Sequence, residues 1–174
     1  RWWTTAGLVG GIRMTLTYAI FGVVGVTRQI GIDADGKNLK MISARDSSSA
    51  LGFANRGGSV IDWLVDENNG AVLATRDYVP EETIGKLAGH TSRGFGVDRV
   101  DTISLKRSTI EAPKPNAAEY ISDGHGTVRI MGLQQKTGTG YDSGVIRYFY
   151  RKLGSREWLP LAVVTDNVGQ AAVC

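Results

Sequence analysis

Few residues of this chain could carry acid–base, nucleophilic or metal chemistry. Its two histidines are His90 and His125, and its single cysteine, Cys174, is the last residue. His90 precedes Thr91 and Ser92, but neighbours in sequence rarely adopt the geometry in which a histidine activates a hydroxyl group. His125 lies in an Asp-Gly-His-Gly stretch and is predicted to be a solvated turn residue. Since no cysteine pair supports a metal site, we expect no metal and no cofactor.

An acidic turn at Asp33, Asp35, Gly36 and Asn38 matches the start of a calcium-binding loop. The remainder of such a loop, with its late bidentate glutamate, is absent. Hairpin chemistry accounts for the same residues, because aspartate accepts backbone N–H bonds two residues on and glycine adopts left-handed conformations. The segment is therefore predicted to be a turn between two strands.

Two segments of the chain repeat one pattern. Residues Ile61–Ala74 and Glu119–Met131 each consist of an apolar run, an acidic glycine-containing turn and a second apolar run. Two further strand-like runs follow each hairpin. Four short antiparallel strands that recur at roughly 40–60 residues are typical of β-propeller blades, and a complete ring has about four to eight blades. The chain is thus predicted to be all-β, a partial β-propeller of about two to three blades of four-stranded antiparallel sheet.

The composition is that of a folded globular protein. Of the 174 residues, 42% are hydrophobic and 21% charged, and 23 glycines against 4 prolines suit a fold with many tight turns. The net charge is +3, with basic and acidic residues interspersed, so the chain lacks the basic stripe of a nucleic-acid-binding protein. We therefore expect no nucleic-acid partner. The single cysteine leaves the compartment undetermined.

The most apolar stretch, Ala6–Val26, has the length of a membrane span but the pattern of strands. Arg13 lies inside it, and threonines alternate there with apolar residues. An antiparallel pair of strands is predicted at Ile12–Ile20 and Val23–Ile32, and no membrane span is expected. Because the chain starts at Arg1 rather than methionine, we expect it to be part of a longer reading frame or a processed product.

Three segments resemble propeller strands of the prolyl oligopeptidase family, namely Val26–Ile42, Glu119–Ile130 and Ile146–Ala162. The similarity extends from about Arg13 to Val164. Members are serine peptidases of the dipeptidyl or acylaminoacyl peptidase kind, with an N-terminal propeller and a C-terminal α/β-hydrolase domain. The resemblance implies a non-catalytic segment that gates the active site and orients short peptides. It also implies two kinds of partner: short peptides, and the remaining blades and hydrolase domain in the same or another chain.

The family's nucleophile lies in a Gly-x-Ser-x-Gly elbow between a strand and a helix. The nearest match, Gly140–Gly144, has the wrong spacing, because Ser143 directly precedes the last glycine. No helix-forming run follows, and no histidine occurs after Ser143. We therefore predict no catalytic residue in this chain.

Glu81 and Glu82 form the one pair that the resemblance marks as a site. Some dipeptidyl peptidases similar to this family hold the free amine of a substrate with paired glutamates that project from the propeller. The pair follows Pro80, and a proline followed by carboxylates also favours the N-terminus of a short helix. Substrate binding and helix stabilisation thus remain two explanations for the same residues.

The repeats divide the chain into a partial blade with its connection at 1–58, a blade at 59–115, a blade at 116–164 and the start of a further element at 165–174. A surface insertion is predicted at 78–96, inside the second of these. The tryptophans are expected to fill cores between blades, above all Trp63 and Trp158.

Two other classes of protein fit the same pattern. One is a binding or interaction propeller that presents loops to a protein or glycan without any enzyme. The other is a β-structural virion or secreted protein that assembles by sheet pairing. A hydrolase domain with a Gly-x-Ser-x-Gly elbow after Cys174 would favour the peptidase over both.

Overall fold

The computed structural model describes the backbone of residues 3–4, 7–18, 22–33, 35–42, 58–67, 70–80, 92–165 and 171–173, and the side chains of those between 28 and 165. Within these ranges the chain forms β-strands and one 3-10 turn, Val65–Glu67, which confirms the all-β prediction. The strands build three antiparallel sheets in which each strand pairs with its neighbours along the chain. This up-and-down order is the one predicted for propeller blades.

The first sheet has the strand order β1-β2-β3-β4. Its strands are β1 (Trp3–Thr4), β2 (Gly7–Tyr18), β3 (Gly22–Asp33) and β4 (Lys40–Met41). The long pair β2–β3 runs in unbroken register from Gly7↔Asp33 to Tyr18↔Gly22. The apolar N-terminal stretch therefore forms the predicted strand pair, and β2 begins five residues earlier than the pattern indicated. In the described part of the chain, no helix has the length and apolar character needed to span a membrane.

The second sheet has the order β5-β6-β7-β8. Its strands are β5 (Val60–Asp62), β6 (Ala71–Tyr78), β7 (Gly94–Asp101) and β8 (Arg107–Lys114). Strands β6 and β7 pair from Ala71↔Asp101 to Tyr78↔Gly94. Both ends of the predicted insertion 78–96 therefore lie in paired strands, and the connection between them covers 79–93. Gly94–Gly96 is strand rather than the surface loop that its glycines indicated.

The third sheet has the order β9-β10-β11-β12-β13. Its strands are β9 (Ala117–Ser122), β10 (Val128–Lys136), β11 (Asp142–Tyr150), β12 (Leu159–Thr165) and β13 (Ala171–Val173). The first four form the predicted four-stranded meander. The short β13 pairs with β12, from Ala162↔Val173 to Val164↔Ala171, and adds a strand to its outer edge.

The second sheet is buried on both faces. Along β6 the residues from Ala71 to Thr75 are all buried. Because side chains alternate along a strand, Ala71 and Leu73 join the cluster shared with the third sheet. Val72 and Ala74 join a second cluster, which includes Ile42 from the end of the first sheet. The second sheet therefore packs on the third sheet with one face, and Ile42 at the end of the first sheet contacts its other face. Strand β6 accordingly has the continuous apolar run of a strand covered on both sides.

The two tryptophans that were expected in cores lie beside strands rather than within them. Trp63 follows β5 and packs against the cluster between the first and second sheets. Trp158 precedes β12 and packs against the cluster between the second and third sheets. Both side chains are partly buried. The guanidinium of Arg151 stacks 4.7 Å from the ring centroid of Trp158.

Candidate binding groove between the second and third sheets

A groove of about 790 Å³ opens where the end of the second sheet meets the third. Its lining comes from the start and edge of β5, the end of β6, the start of β7, the β8–β9 link, β9, and the facing ends of β10 and β11. The lining residues are Gly58, Ser59, Ile61, Thr75, Asp77, Phe95, Pro115, Asn116, Ala117, Ala118, Glu119, Tyr120, Gln134, Lys136 and Asp142.

One wall of the groove is fixed by the close approach of β5 to β6. The amide of Ser59 donates to Thr75 Oγ1 at 2.7 Å, and the amide of Thr75 donates to the Ser59 carbonyl at 2.8 Å. Gly58 has a φ of +80°, and a Cβ there would lie 1.9 Å from the Thr75 carbonyl oxygen. Only glycine fits this position, because a side chain would collide with backbone. Thr75 is thus held in the wall of the groove, with its hydroxyl hydrogen-bonded to the backbone of Ser59.

Two of the lining residues are aromatic and contact each other. Phe95 and Tyr120 stack with centroids 5.8 Å apart and an interplanar angle of 28°. The Tyr120 hydroxyl donates to the Phe95 carbonyl oxygen at 3.2 Å. Burial, with a smaller contribution from the carboxylate of Glu111, raises the pKa of Tyr120 to about 12. Tyr120 therefore remains a hydrogen-bond donor across the physiological range and ties β9 to β7.

The charged lining is mainly acidic. Asp77 lies near the end of β6, opposite Phe95 in the β6–β7 register. Glu119 accepts a hydrogen bond from the Tyr148 hydroxyl at 2.8 Å. Lys136 forms an ion pair with Asp142. The described lining thus carries three carboxylates and one ammonium group.

Next to the groove, β5 and β9 are fastened together by a buried carboxylate. The Ser122 hydroxyl lies 2.9 Å from both the Ile61 carbonyl and Asp62 Oδ2. Asp62 is only 4% exposed. Its Oδ2 also accepts from the Gly126 amide at 2.8 Å, and its Oδ1 accepts from the Leu64 amide at 3.0 Å. Ser59 and Ala118, which lie towards the other ends of β5 and β9, line the groove.

A second set of buried contacts connects the second and third sheets. Arg151 forms an ion pair with Glu111 of β8, and both side chains are largely buried. The Arg151 Nε donates to the Val128 carbonyl at 2.6 Å. Because its carboxylate partner, its carbonyl acceptor and the Trp158 ring together engage the guanidinium, the charge is compensated inside the interface. The second and third sheets are therefore joined both at Asp62 and at Arg151.

Of the described residues that sequence analysis singled out, His125 and Ser143 are not among those that line the groove. Glu81, Glu82 and His90 lie outside the described residues. Ser143 donates its hydroxyl to the Gln135 carbonyl at 2.8 Å and so closes the β10–β11 turn.

His125 lies in an exposed turn, as predicted. Its side chain is 75% exposed, and its Nδ1 is 2.8 Å from Asp66 Oδ2. The hydrogen bond and charge of Asp66 raise the pKa of His125 above its usual value. This contact joins the acidic turns of the two repeated hairpins, which the sequence pattern alone did not indicate.

The acidic turn after β3 has the hydrogen bonds of a hairpin. Asn38 Nδ2 donates to Asp33 Oδ2 at 2.7 Å, and the amide of Lys37 donates to Asp35 Oδ1 at 3.0 Å. Gly36 has a φ of +82°. These contacts agree with the turn interpretation rather than with a calcium loop. Within the described ranges no group of three histidine, cysteine or acidic residues is arranged to hold a metal ion.

A buried polar cluster lies on the opposite face of the second sheet. The Tyr78 hydroxyl bonds to Asp98 and lies 3.1 Å from Thr109 Oγ1, and Arg76 Nη1 is 3.5 Å from Asp98 Oδ2. Burial, then the bond to Asp98, raises the pKa of Tyr78. The Arg76 guanidinium lies 4.6 Å from the Tyr78 ring centroid. Because Asp98 is only 2% exposed, these polar contacts stabilise the interior of the protein.

Sequence analysis missed the groove because its residues are distant along the chain. Phe95 lies between two glycines and was assigned to a loop, and Asp77 ends a strand without any motif. The repeated hairpins were the only available signal, because successive blades stack and their first strands, β5 and β9, must then face each other. Comparison with known proteins found no family model, no curated protein and no solved structure that matches the chain.

Proposed function

We propose that the chain is a non-catalytic binding segment whose groove between the second and third sheets holds a short stretch of peptide. The groove itself is the observation that supports this proposal. It has a volume of about 790 Å³, within the range of sites that take small ligands. Two aromatic rings and several polar side chains line it, as is typical of such sites.

In the wider proposal that follows from the resemblance, this segment belongs to a prolyl-oligopeptidase-like serine peptidase. Its role there is to gate and orient short peptides, while the nucleophile lies on a hydrolase domain in the same or another chain. The position of the groove supports this role. Asp77 and Phe95 line it immediately beside the ends of β6 and β7, so the 79–93 connection with Glu81 and Glu82 starts at its rim.

Blocking the groove tests the binding proposal. Ala118 is exposed on β9 and lines the groove, so Ala118→Trp should occupy space without disturbing the core. Leu153→Trp is the matched control, because Leu153 is 75% exposed in the β11–β12 turn. Fluorescence anisotropy of a labelled random pentapeptide pool should show binding to the wild type and to L153W and loss of binding to A118W. Equal binding by both variants would overturn the proposal.

Catalysis provides an independent test. The purified chain should not turn over acyl or dipeptidyl chromogenic esters and amides, because Ser143 is engaged in a turn. Turnover that is abolished by Ser143→Ala would contradict the non-catalytic role.

A binding propeller without any enzyme is the second candidate. It is favoured by the same groove, which needs no hydrolase domain to hold a peptide. If the polypeptide that follows Cys174 in the gene lacks a Gly-x-Ser-x-Gly elbow, this candidate replaces the peptidase.

A further inference from the structure

Strand β9 lies at one edge of the third sheet, because it pairs with β10 and with no other strand of the described residues. Its first three residues, Ala117, Ala118 and Glu119, all line the groove. Since side chains alternate between the two faces of a strand, what consecutive residues present together to one groove is their shared backbone edge. The groove therefore includes the open edge of β9.

The side chains of this segment leave its backbone accessible. Ala117 and Ala118 each carry only a methyl group, and the Glu119 carboxylate is engaged by the Tyr148 hydroxyl at 2.8 Å. Ala118 and Glu119 are exposed, and Ala117 is partly exposed. An approaching main chain can therefore reach backbone N–H and C=O groups along this edge.

One of these backbone groups has a determined direction. The Gln134 amide of β10 donates to the Asn116 carbonyl at 2.7 Å, so that carbonyl points towards β10. In a trans peptide unit the carbonyl and the following N–H point in opposite directions. The Ala117 N–H therefore points away from β10, to the open edge. The register of β9 against β10 shifts after Ala117, so the argument is restricted to this first amide.

The opposite edge of the same sheet already carries an added strand. The short β13 pairs with β12 through three residue pairs, from Ala162↔Val173 to Val164↔Ala171. Open edges are commonly protected by lysine or proline, and β8, at the edge of the second sheet, contains Pro113 and Lys114. Strand β9 reads Ala-Ala-Glu-Tyr-Ile-Ser and contains neither residue type. Its composition therefore permits pairing with a further strand.

We propose that the groove holds its peptide by strand addition: an extended segment pairs through its main chain with the edge of β9 at residues 117–119 and so extends the third sheet. This inference rests on the proposed function, because it names how the same groove holds a peptide. Main-chain pairing implies tolerance of many sequences, with a preference for residues that favour extended backbone, such as valine and threonine. The paired segment is about 10 Å long for three residues.

The first test removes the main-chain donors of the peptide and keeps its side chains. The probe is acetylated and amidated Thr-Val-Val-Val-Thr. Its depsipeptide analogue has α-hydroxyisovaleric acid in place of each valine, so ester oxygens replace the N–H groups. NMR titration of the full chain should give an affinity at least about fivefold lower for the depsipeptide, because one hydrogen bond contributes about 1 kcal/mol.

The second test locates the pairing on the chain. Exchange of the Ala117 amide hydrogen with water should slow when the pentapeptide is added at saturation, because this N–H gains an acceptor. The Gln134 amide is the matched control. It already donates to the Asn116 carbonyl, so its exchange should stay the same.

The outcomes separate strand addition from the proposed function. Equal affinity of peptide and depsipeptide, or binding that leaves Ala117 exchange unchanged, overturns strand addition and leaves peptide binding intact. Binding of the random pool without binding of Thr-Val-Val-Val-Thr has the same meaning. Failure of both the pentapeptide and the random pool to bind overturns both proposals.

Discussion

At the scale of single residues, buried carboxylates hold the sheets together. Asp62 accepts bonds from the Leu64 and Gly126 amides and lies 2.9 Å from the Ser122 hydroxyl. These partners come from both sheets, so one side chain fixes the line along which β5 meets β9. Such buried networks stabilise only when every member is satisfied, and loss of one member leaves the others unpaired.

Replacing Asp62 tests this role. Asp62→Ala should cost about 2–5 kcal/mol, because it leaves buried donors without an acceptor. Urea unfolding followed by tryptophan fluorescence measures the change. Glu157→Gln is the control: Glu157 is exposed, and substitutions at such sites usually stay within about 0.5 kcal/mol. A D62A variant as stable as E157Q would show that the contact is incidental.

The pH dependence of the His125–Asp66 contact follows from the raised pKa of His125. A raised folded-state pKa means that the contact stabilises the chain fully below the unfolded pKa of about 6.5. The stabilisation is lost as pH rises through the higher folded-state value. NMR titration of the His125 ring should give a higher pKa in the wild type than in Asp66→Asn. Identical pKa values in the two proteins would mean that the turns do not meet in solution.

At the scale of elements, strand contacts decide where glycine is needed. Gly94 begins β7 with a φ of +121°, and a Cβ there would lie 2.4 Å from the Lys114 carbonyl oxygen. This close approach places the start of β7, and hence Phe95, against the β8–β9 link. By contrast, a Cβ at Gly138 in the β10–β11 turn would meet nothing within 4 Å.

Alanine at these two glycines should therefore have opposite consequences. Gly94→Ala combines backbone strain with a collision and should lower stability by about 2–4 kcal/mol. Gly138→Ala should be neutral or stabilise by up to about 1 kcal/mol, because it restricts the unfolded chain. Thermal unfolding followed by circular dichroism compares the two. If the two variants unfold at the same temperature, β7 does not make this close approach to the β8–β9 link.

The strands and turns were predictable from sequence, whereas the groove was not. Alternation around Ile12 and the Asp-Gly turn at Asp123 are local patterns, and a strand or hairpin follows from them directly. The start of β7 at Gly94 was missed because two glycines close together in sequence are typical of a loop. Only the pairing of β7 with β6, in eight residue pairs, shows that this segment is a strand. Asp77 joins Glu119 and Asp142 in the groove lining only because the second sheet packs on the third, and no local pattern encodes that long-range arrangement.

At the scale of the molecule, the described residues bury the second sheet on both faces, and they cover the third sheet on the face that meets the second. On the far face of the third sheet lie Ile146 and Tyr148, which a Cβ at Gly132 would touch. Ala162 and Val164 pair with them across β12. All four are partly exposed, so this face offers apolar surface where a propeller would place its next blade.

The isolated chain should therefore self-associate at micromolar concentration. Sedimentation velocity should show species larger than the 18.7 kDa monomer. Ile146→Lys and Val164→Lys together should shift the distribution towards monomer, whereas Leu153→Lys, in an exposed turn, should not. A wild-type chain that stays monomeric and silent to a hydrophobic dye would contradict an open blade face.

Residue-resolved NMR shift mapping with the random pentapeptide pool tests the binding groove most directly. The largest amide shift changes should centre on Thr75, Phe95, Ala118 and Gln134, which line the groove on both sheets. The His125 turn, beyond the Asp62 fastening, should stay unchanged. Shift changes that centre on another surface, or none at millimolar peptide, would contradict the account.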